Sequence, residues 1–564
     1  MIVRPYGTWP SPLSADVVSR IPGAGIAAVD VDARRVRWAE SRPEEGGRVV
    51  VVEWDGRSVE DVTPPGFNAR TRVHEYGGGA IWYHGGAVFF SEFSTGRLHR
   101  QDGRGEPRPV TPEPHEPNAS RYADGAVTPD GSLVVCVRER HEAGSVHNEL
   151  VAFPADGSGE PAVVAGGRDF YAAPRVDPSG RLLAWLSWDH PHMPWDGTEL
   201  RVAELGPDGT VSGERSVAGG PDESVLDPAW STDGALHFVT DRNGWWNLHR
   251  LEPDGRDRAL TRLEDGEIGY PAWVFAIRRY AFLDDGRIAC VVTRSAVDSL
   301  ELLDPESGAL EPAGLEWTAY DPTALAAGGG RLVFAASSPS RVETVVAWNP
   351  VHGGEQELRR TLGLEFDPAG ISIPRPIEFS TGDGAVAHAF YYPPASADVE
   401  GPEDERPPLR VVCHGGPTSH ASPSLSPRYL FWTQRGIGIV DVNYRGSTGY
   451  GREYRRLLNG RWGEIDWRDC VAAARHLAEE GEADPARTWV EGWSAGGYVV
   501  LCALVFDPTS FAAGVSHFGV SDVEGLALET HKFESRYLDT MIGPYPERAD
   551  LYRERSPVHF ADRL

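Results

Sequence analysis

A seven-bladed β-propeller followed by a doubly wound α/β domain is the architecture this sequence predicts. Two patterns carry the prediction. A hairpin signal recurs at a regular period through the first two-thirds of the chain, and after Pro374 strands begin to alternate with helices. The composition agrees: 564 residues with 40% hydrophobic and 24% charged side chains are ordinary globular values.

The hairpin signal consists of a small or Pro-containing lead-in, then Asp-Gly or Ser-Gly, then an apolar run and a charged turn. It stands around Gly131 (126–137), Gly180 (174–186), Gly234 (228–239) and Gly286 (282–291), with looser copies at 30–38, 85–90 and 328–334. Glycine supplies the positive φ that the hairpin turn needs, and the flanking alternation supplies the strands. A period of about 45–55 residues fits four-stranded blades, and seven copies give seven blades. The propeller is assigned to residues 22–365, with 1–21 as an N-terminal segment. Trp185, Trp188, Trp195, Trp245 and Trp246 are read as blade packing.

Beyond Pro374, residues 376–392 read as a hairpin and 409–413 as a buried strand. The stretch 436–442 reads as a second strand, about 467–480 as an amphipathic helix and 488–491 as a third strand. That third strand runs into Gly492-Trp493-Ser494-Ala495-Gly496-Gly497-Tyr498 and an apolar helix. This is G-x-S-x-G in the strand–turn–helix context its mechanics require. Ser494 is lifted at a helix N-terminus as a nucleophile, and the Ala495 N–H faces a forming oxyanion. His414-Gly415-Gly416-Pro417 ends the buried strand, where hydrolases place an oxyanion loop, and Tyr444–Gly451 follows the next strand.

These three motifs and the upstream propeller resemble the prolyl oligopeptidase family of serine peptidases, and more narrowly its dipeptidyl-peptidase and acylaminoacyl-peptidase branches. The resemblance covers nearly the whole chain. It implies a propeller seated over an α/β-hydrolase domain (366–564), which limits entry to short or unfolded peptides. It implies Ser494 as nucleophile, with the Ala495 N–H and the Tyr444 hydroxyl as oxyanion donors. His414 is read as shaping its loop rather than as a base. Val515, Phe518 and Tyr537 match positions in or near the specificity pocket, although core packing serves equally for all three. Glu75, in the charged glycine-rich loop 70–79, matches the kind of propeller acid that binds a substrate α-amino group; a salt bridge within the blade is the competing reading.

A serine nucleophile needs a base and an acid to orient it, and in this family both follow later strands of the sheet. The sequence reaches Leu564 where the first of those strands is expected, so the family's Asp and His are expected outside it and the hydrolase domain is expected to be incomplete. Asp522, His517, His531 and His559 are the candidates present, and each is read as structural. The expected activity is hydrolysis of oligopeptides through an acyl-enzyme, as a dipeptidyl- or acylaminoacyl-type exopeptidase. The alternatives are an inactive scaffold that binds peptides or a partner, and an esterase on the same fold.

The remaining expectations are mostly exclusions. A formal charge of −29 argues against nucleic acid and anionic membrane surfaces as partners. No stretch approaches 18 uninterrupted apolar residues, and the Pro- and Gly-containing start lacks the apolar run of a secretion signal. Five scattered cysteines without a CxxC pair suit a reducing, cytoplasmic compartment and no structural zinc. No cofactor or metal is expected, and a homo-oligomer stays open.

Overall fold

The computed structural model describes residues 1–20, 25–32 and 35–564. Seven four-stranded antiparallel sheets follow one another along the chain, over residues 26–61, 81–109, 120–165, 170–220, 225–259, 280–312 and 319–360. Each sheet uses four consecutive strands, so each is one blade of a propeller. The recurring glycine signal marks one place in blades 2 to 7, the turn between the first and second strands. In blades 3 to 6 the N–H of Gly131, Gly180, Gly234 and Gly286 bonds back to the carbonyl of Thr128, Asp177, Ser231 and Leu283. Residues 33–34, in the first copy of the signal, and the boundary at 21–22 lie outside the described residues.

A second device repeats that the sequence pattern did not announce. The first strands of blades 1, 3, 4 and 5 carry a register shift beside a positive-φ residue: Ala28, Asp124, Ala173 and Asp227. These are β-bulges, which re-aim a side chain. Two of the re-aimed side chains tie neighbouring blades together. Asp124 accepts from Ala173 N (2.7 Å) and Arg175 (3.0 Å), and Asp227 from Arg279 N (2.9 Å) and Arg278 (3.0 Å). Blades 1 and 7 meet without sharing a strand, through an apolar cluster including Trp38, Val50, Val333 and Val345 and through Arg359 on Glu40 at 2.6 Å.

The C-terminal domain is built on one six-stranded sheet. Its strands are β1 (Arg375–Ser380), β2 (Val386–Tyr392), β3 (Leu409–Cys413), β4 (Gly438–Asn443), β5 (Thr488–Trp493) and β6 (Ala513–His517), in the order β1-β2-β4-β3-β5-β6. The four from β3 onward run parallel, as crossover helices require. Helices α1 (Ile465–Glu479) and α2 (Ala495–Phe506) pack through Cys470, Ala473, Leu477, Val499 and Ala503 into the core that holds β3 to β5. The N-terminal segment belongs to this domain too: Ile2–Val3 pairs in parallel with Val399–Glu400, and Trp9 packs against Gly436.

Candidate active site

Strand β5 lies between β3 and β6, and its turn into α2 holds Ser494 at φ 53°, ψ −120°. A non-glycine residue with that backbone is strained, and here the surroundings force it. A Cβ on Gly496 would lie 2.1 Å from the carbonyl oxygen of Cys413, and one on Gly492 2.4 Å from the backbone of Gly496. Only glycine lets strand, turn and helix approach so closely. Ser494 is left exposed at the first turn of α2, its N–H bonded to the His517 carbonyl at 3.1 Å.

The loop after β3 comes up against this turn: a Cβ on Gly415 would sit 3.8 Å from Ser494 Cβ. Among the described residues no hydrogen bond uses the backbone N–H of Ala495, Gly415 or Gly416, and none reaches Ser494 Oγ. Three donors beside an exposed hydroxyl are what a forming oxyanion requires. Tyr444 is fully buried at the end of β4, stacked on His414 at 4.3 Å, and donates its hydroxyl to the His414 carbonyl at 3.1 Å. It fixes the loop and does not line the cavity at Ser494. Burial pushes His414 down to about 4, so the ring is neutral, with Nε2 2.8 Å from Ser447 Oγ. Behind it, Arg445 grips Asp469 at 2.7 Å and fixes the loop after β4.

The candidate base and acid residues are engaged elsewhere. His517 stacks on Trp493 with Nε2 3.1 Å from Glu491, and Asp522 caps the helix Val523–Glu529 by accepting from Glu524 N and Gly525 N. His531 faces Glu534, and His559 lies in the terminal turns of the chain. Strand β6 is the outer edge of the sheet; Val515 on it is 40% exposed and Phe518 beyond it 79%. Neither lines the cavity at Ser494.

The propeller stands over this end of the sheet. Arg452 and Arg455 converge on buried Asp241 (2.8 and 2.7 Å), and Arg455 lies over the Trp246 ring at 4.1 Å. Trp273 Nε1 donates to the Thr418 carbonyl at 2.7 Å, and Lys532 Nζ to that of Asp169 at 2.8 Å. Trp195 stands 5.8 Å from Tyr537, and Trp245 covers Gly451. Three of the five tryptophans read as blade packing therefore also build the contact between domains. From the loop 70–79 it is Tyr76, not Glu75, that reaches the hydrolase domain: its hydroxyl donates to Glu534 at 2.5 Å. Glu75 pairs with Arg121 at 2.6 Å inside the propeller.

Together these contacts enclose a cavity of about 70 Å³, bounded by Ser494, Ala495, Gly416 and Pro417 on one side and by Tyr76, Glu534, Tyr537 and Trp462 on the other. Tyr537, buried with its hydroxyl 2.6 Å from Thr418 Oγ1, is the specificity-pocket candidate that the structure brings to the serine. Tyr76, Trp462 and Glu534 were not singled out from the sequence, although Glu534 stands three residues before Tyr537. A wider polar groove of about 1110 Å³, lined by Arg168, Asp169, His190, His531 and Lys532, runs between blades and hydrolase domain.

Fold and site define a propeller-covered α/β-hydrolase with a serine on a strained strand-to-helix turn. A model of the prolyl oligopeptidase family matches residues 423–564. The structure of a puromycin-hydrolyzing peptidase from Mycobacterium tuberculosis superposes with a TM-score of 0.95 at 39% identity, over 100% of this chain and 88% of that one. A puromycin hydrolase structure gives 0.93 at 40% identity, with the same coverage. The chain belongs to the prolyl oligopeptidase family of serine peptidases. Curated relatives match over shorter stretches. Dipeptidyl aminopeptidase BIII of Pseudoxanthomonas mexicana is 29% identical over 34% of this chain and 28% of its own length. An acylamino-acid-releasing enzyme of Arabidopsis thaliana is 27% identical over 59% and 48%. The chain thus spans less than half the length of these two curated relatives. Among the described residues no helix is long and apolar enough to cross a membrane.

Proposed function

We propose that this protein is a serine peptidase acting on short peptides through an acyl-enzyme on Ser494, as an exopeptidase. The observation that carries the reading is the exposed Ser494 at φ 53° beside the unused N–H groups of Ala495, Gly415 and Gly416. Ser494 Oγ attacks the carbonyl carbon, its proton passes to the departing amine, and water then releases the acyl group as a carboxylic acid. The Ala495 N–H receives the oxyanion. Tyr444 would have to leave the His414 carbonyl to act as second donor, whereas Gly415 and Gly416 are free without such a turn. Base and acid are proposed to come from sequence outside these 564 residues, packed on β6. The open edge of that strand and the engaged state of His517, His531 and Asp522 support this. A cytoplasmic location is proposed from the five free, buried cysteines.

The test combines an organofluorophosphonate probe with paired substrates on protein from its natural source, whose intact mass is measured first. Labelling at Ser494 and turnover of peptide p-nitroanilides are expected. Turnover of p-nitrophenyl esters alone would make the protein an esterase, and no labelling with no turnover would leave a peptide-binding scaffold.

A further inference from the structure

Three of the five cysteines lie in the hydrolase domain, and two of them meet. Cys413 is the last residue of β3 and Cys470 stands in α1, 57 positions later, with the two sulfurs 3.3 Å apart in a thiol–thiol hydrogen bond. Both side chains are fully buried. Cys136 and Cys290 lie in different blades and Cys502 in α2, and among the described residues no other two thiols are hydrogen-bonded.

The pair touches the parts of the site that have least slack. The carbonyl of Cys413 is the group that leaves Gly496 no room for a side chain, and the next residues, His414, Gly415 and Gly416, form the loop that faces Ser494. Asp469, one residue before Cys470, accepts from Arg445 N, Nε and Nη2 at 2.9, 3.0 and 2.7 Å and so holds the loop after β4. Bringing two distant residues together is the costly part of forming a disulfide, and here the fold has already done it. What remains is a contraction from 3.3 Å to the about 2 Å of an S–S bond. Burial decides which oxidant acts. It excludes bulky or charged reagents, and it keeps Cys470 protonated, its thiol pushed up by desolvation and by Cys413. The reaction is therefore slow, and its reagent is a small neutral peroxide.

We propose that Cys413 and Cys470 form a redox-modification site, which hydrogen peroxide converts to a disulfide that lowers the reactivity of Ser494 by drawing the end of β3 toward α1. One sulfur attacks the peroxide, keeps one oxygen as a sulfenic acid and releases water; the other sulfur displaces that hydroxyl as a second water. The two thiols lose two protons and two electrons, and the peroxide is reduced to two waters. In a reducing compartment such a bond is transient, because thiols reverse it. The effect on Ser494 rests on that residue being the nucleophile; the disulfide does not.

The test treats the unaltered chain with hydrogen peroxide and digests it with trypsin, which cuts after arginine. A cross-linked peptide joining residues 411–428 to 469–475 is expected, about 2 Da lighter than the two together. Fluorophosphonate labelling of Ser494 is expected to fall about tenfold or more, within reach of a displacement near 1 Å, and to return after dithiothreitol. Cys470→Ala is expected to label as the unaltered chain does and to keep that labelling in peroxide; Cys470→Ser serves the same purpose if the alanine variant does not fold. Absence of the cross-link, oxidation of either sulfur to a sulfinic acid in its place, or labelling that survives the cross-link overturns the proposal. An equal loss of labelling in the Cys470 variant overturns it too. A chain that cross-links but never labels, even before peroxide, overturns the Ser494 reading alone.

Discussion

Glycine does opposite work in the blade turns and in the turn at Ser494. In the blade turns Gly234 and Gly286 take φ of 84° and 89°, and a Cβ on either would meet nothing within 4 Å. In the hydrolase turn Gly492 and Gly496 have no such φ, yet a Cβ would come within 2.4 Å of backbone. The first pair is kept for conformation, the second for room. Conformational need is local and repeats with the blades; lack of room is created by tertiary approach, at the turn of Ser494 and also inside the propeller, where a Cβ on Gly219 would lie 1.9 Å from the Thr198 carbonyl oxygen.

Substitutions separate these roles. The largest expected effect touches neither kind of glycine: Ser494→Ala should abolish turnover, by about 10⁴-fold or more, with little change in melting temperature. If residual turnover stays above a hundredth of the parent rate, the chemistry lies elsewhere. Gly496→Ala comes next, because its methyl must displace the Cys413 carbonyl; about 3 kcal/mol of stability should be lost in urea unfolding, and probe labelling with it.

Titration sharpens the contrast further. Asp233, in a blade turn, is held down at about 2, first by its hydrogen bond from Ser231, so its contribution is present above the ordinary carboxylate value and fades as pH falls toward 2. Asp466, buried at the start of α1, is raised by desolvation to about 7. Its folded form holds a proton that the unfolded chain releases near 4, so stability falls as pH rises from about 4 to 7. Asp466→Asn should flatten that slope and gain of order 2 kcal/mol at pH 8, read from urea midpoints across pH. The smallest effect is Gly234→Ala, costing about 1 kcal/mol for the left-handed backbone with labelling of Ser494 unchanged. A loss as large as that of Gly496→Ala would erase the distinction.

What was legible in the sequence follows the same division. Six of the seven turns and the G-x-S-x-G turn are local patterns that the structure has in their expected setting; the turn of the first copy lies outside the described residues. The bulges at Asp124 and Asp227 were not legible, since their partners Arg175 and Arg278 lie 51 residues away. The loop 70–79 stood out by composition, but adjacent residues in it point in different directions. Only the fold determines that Tyr76 reaches Glu534, 458 residues away, while Glu75 turns inward to Arg121.

The pairing of Ile2–Val3 with Val399–Glu400 has a mechanical consequence. The first residues and the last two hundred form one body, so the propeller is an insert whose two ends both return to the same base. The chain passes between the bodies twice, between Arg20 and Ile26 and between Arg360 and Arg375. A ring tethered at two points can tilt about the line joining them but cannot swivel freely. The Asp241–Arg455 and Tyr76–Glu534 contacts join the two bodies on the side of the gap above Ser494.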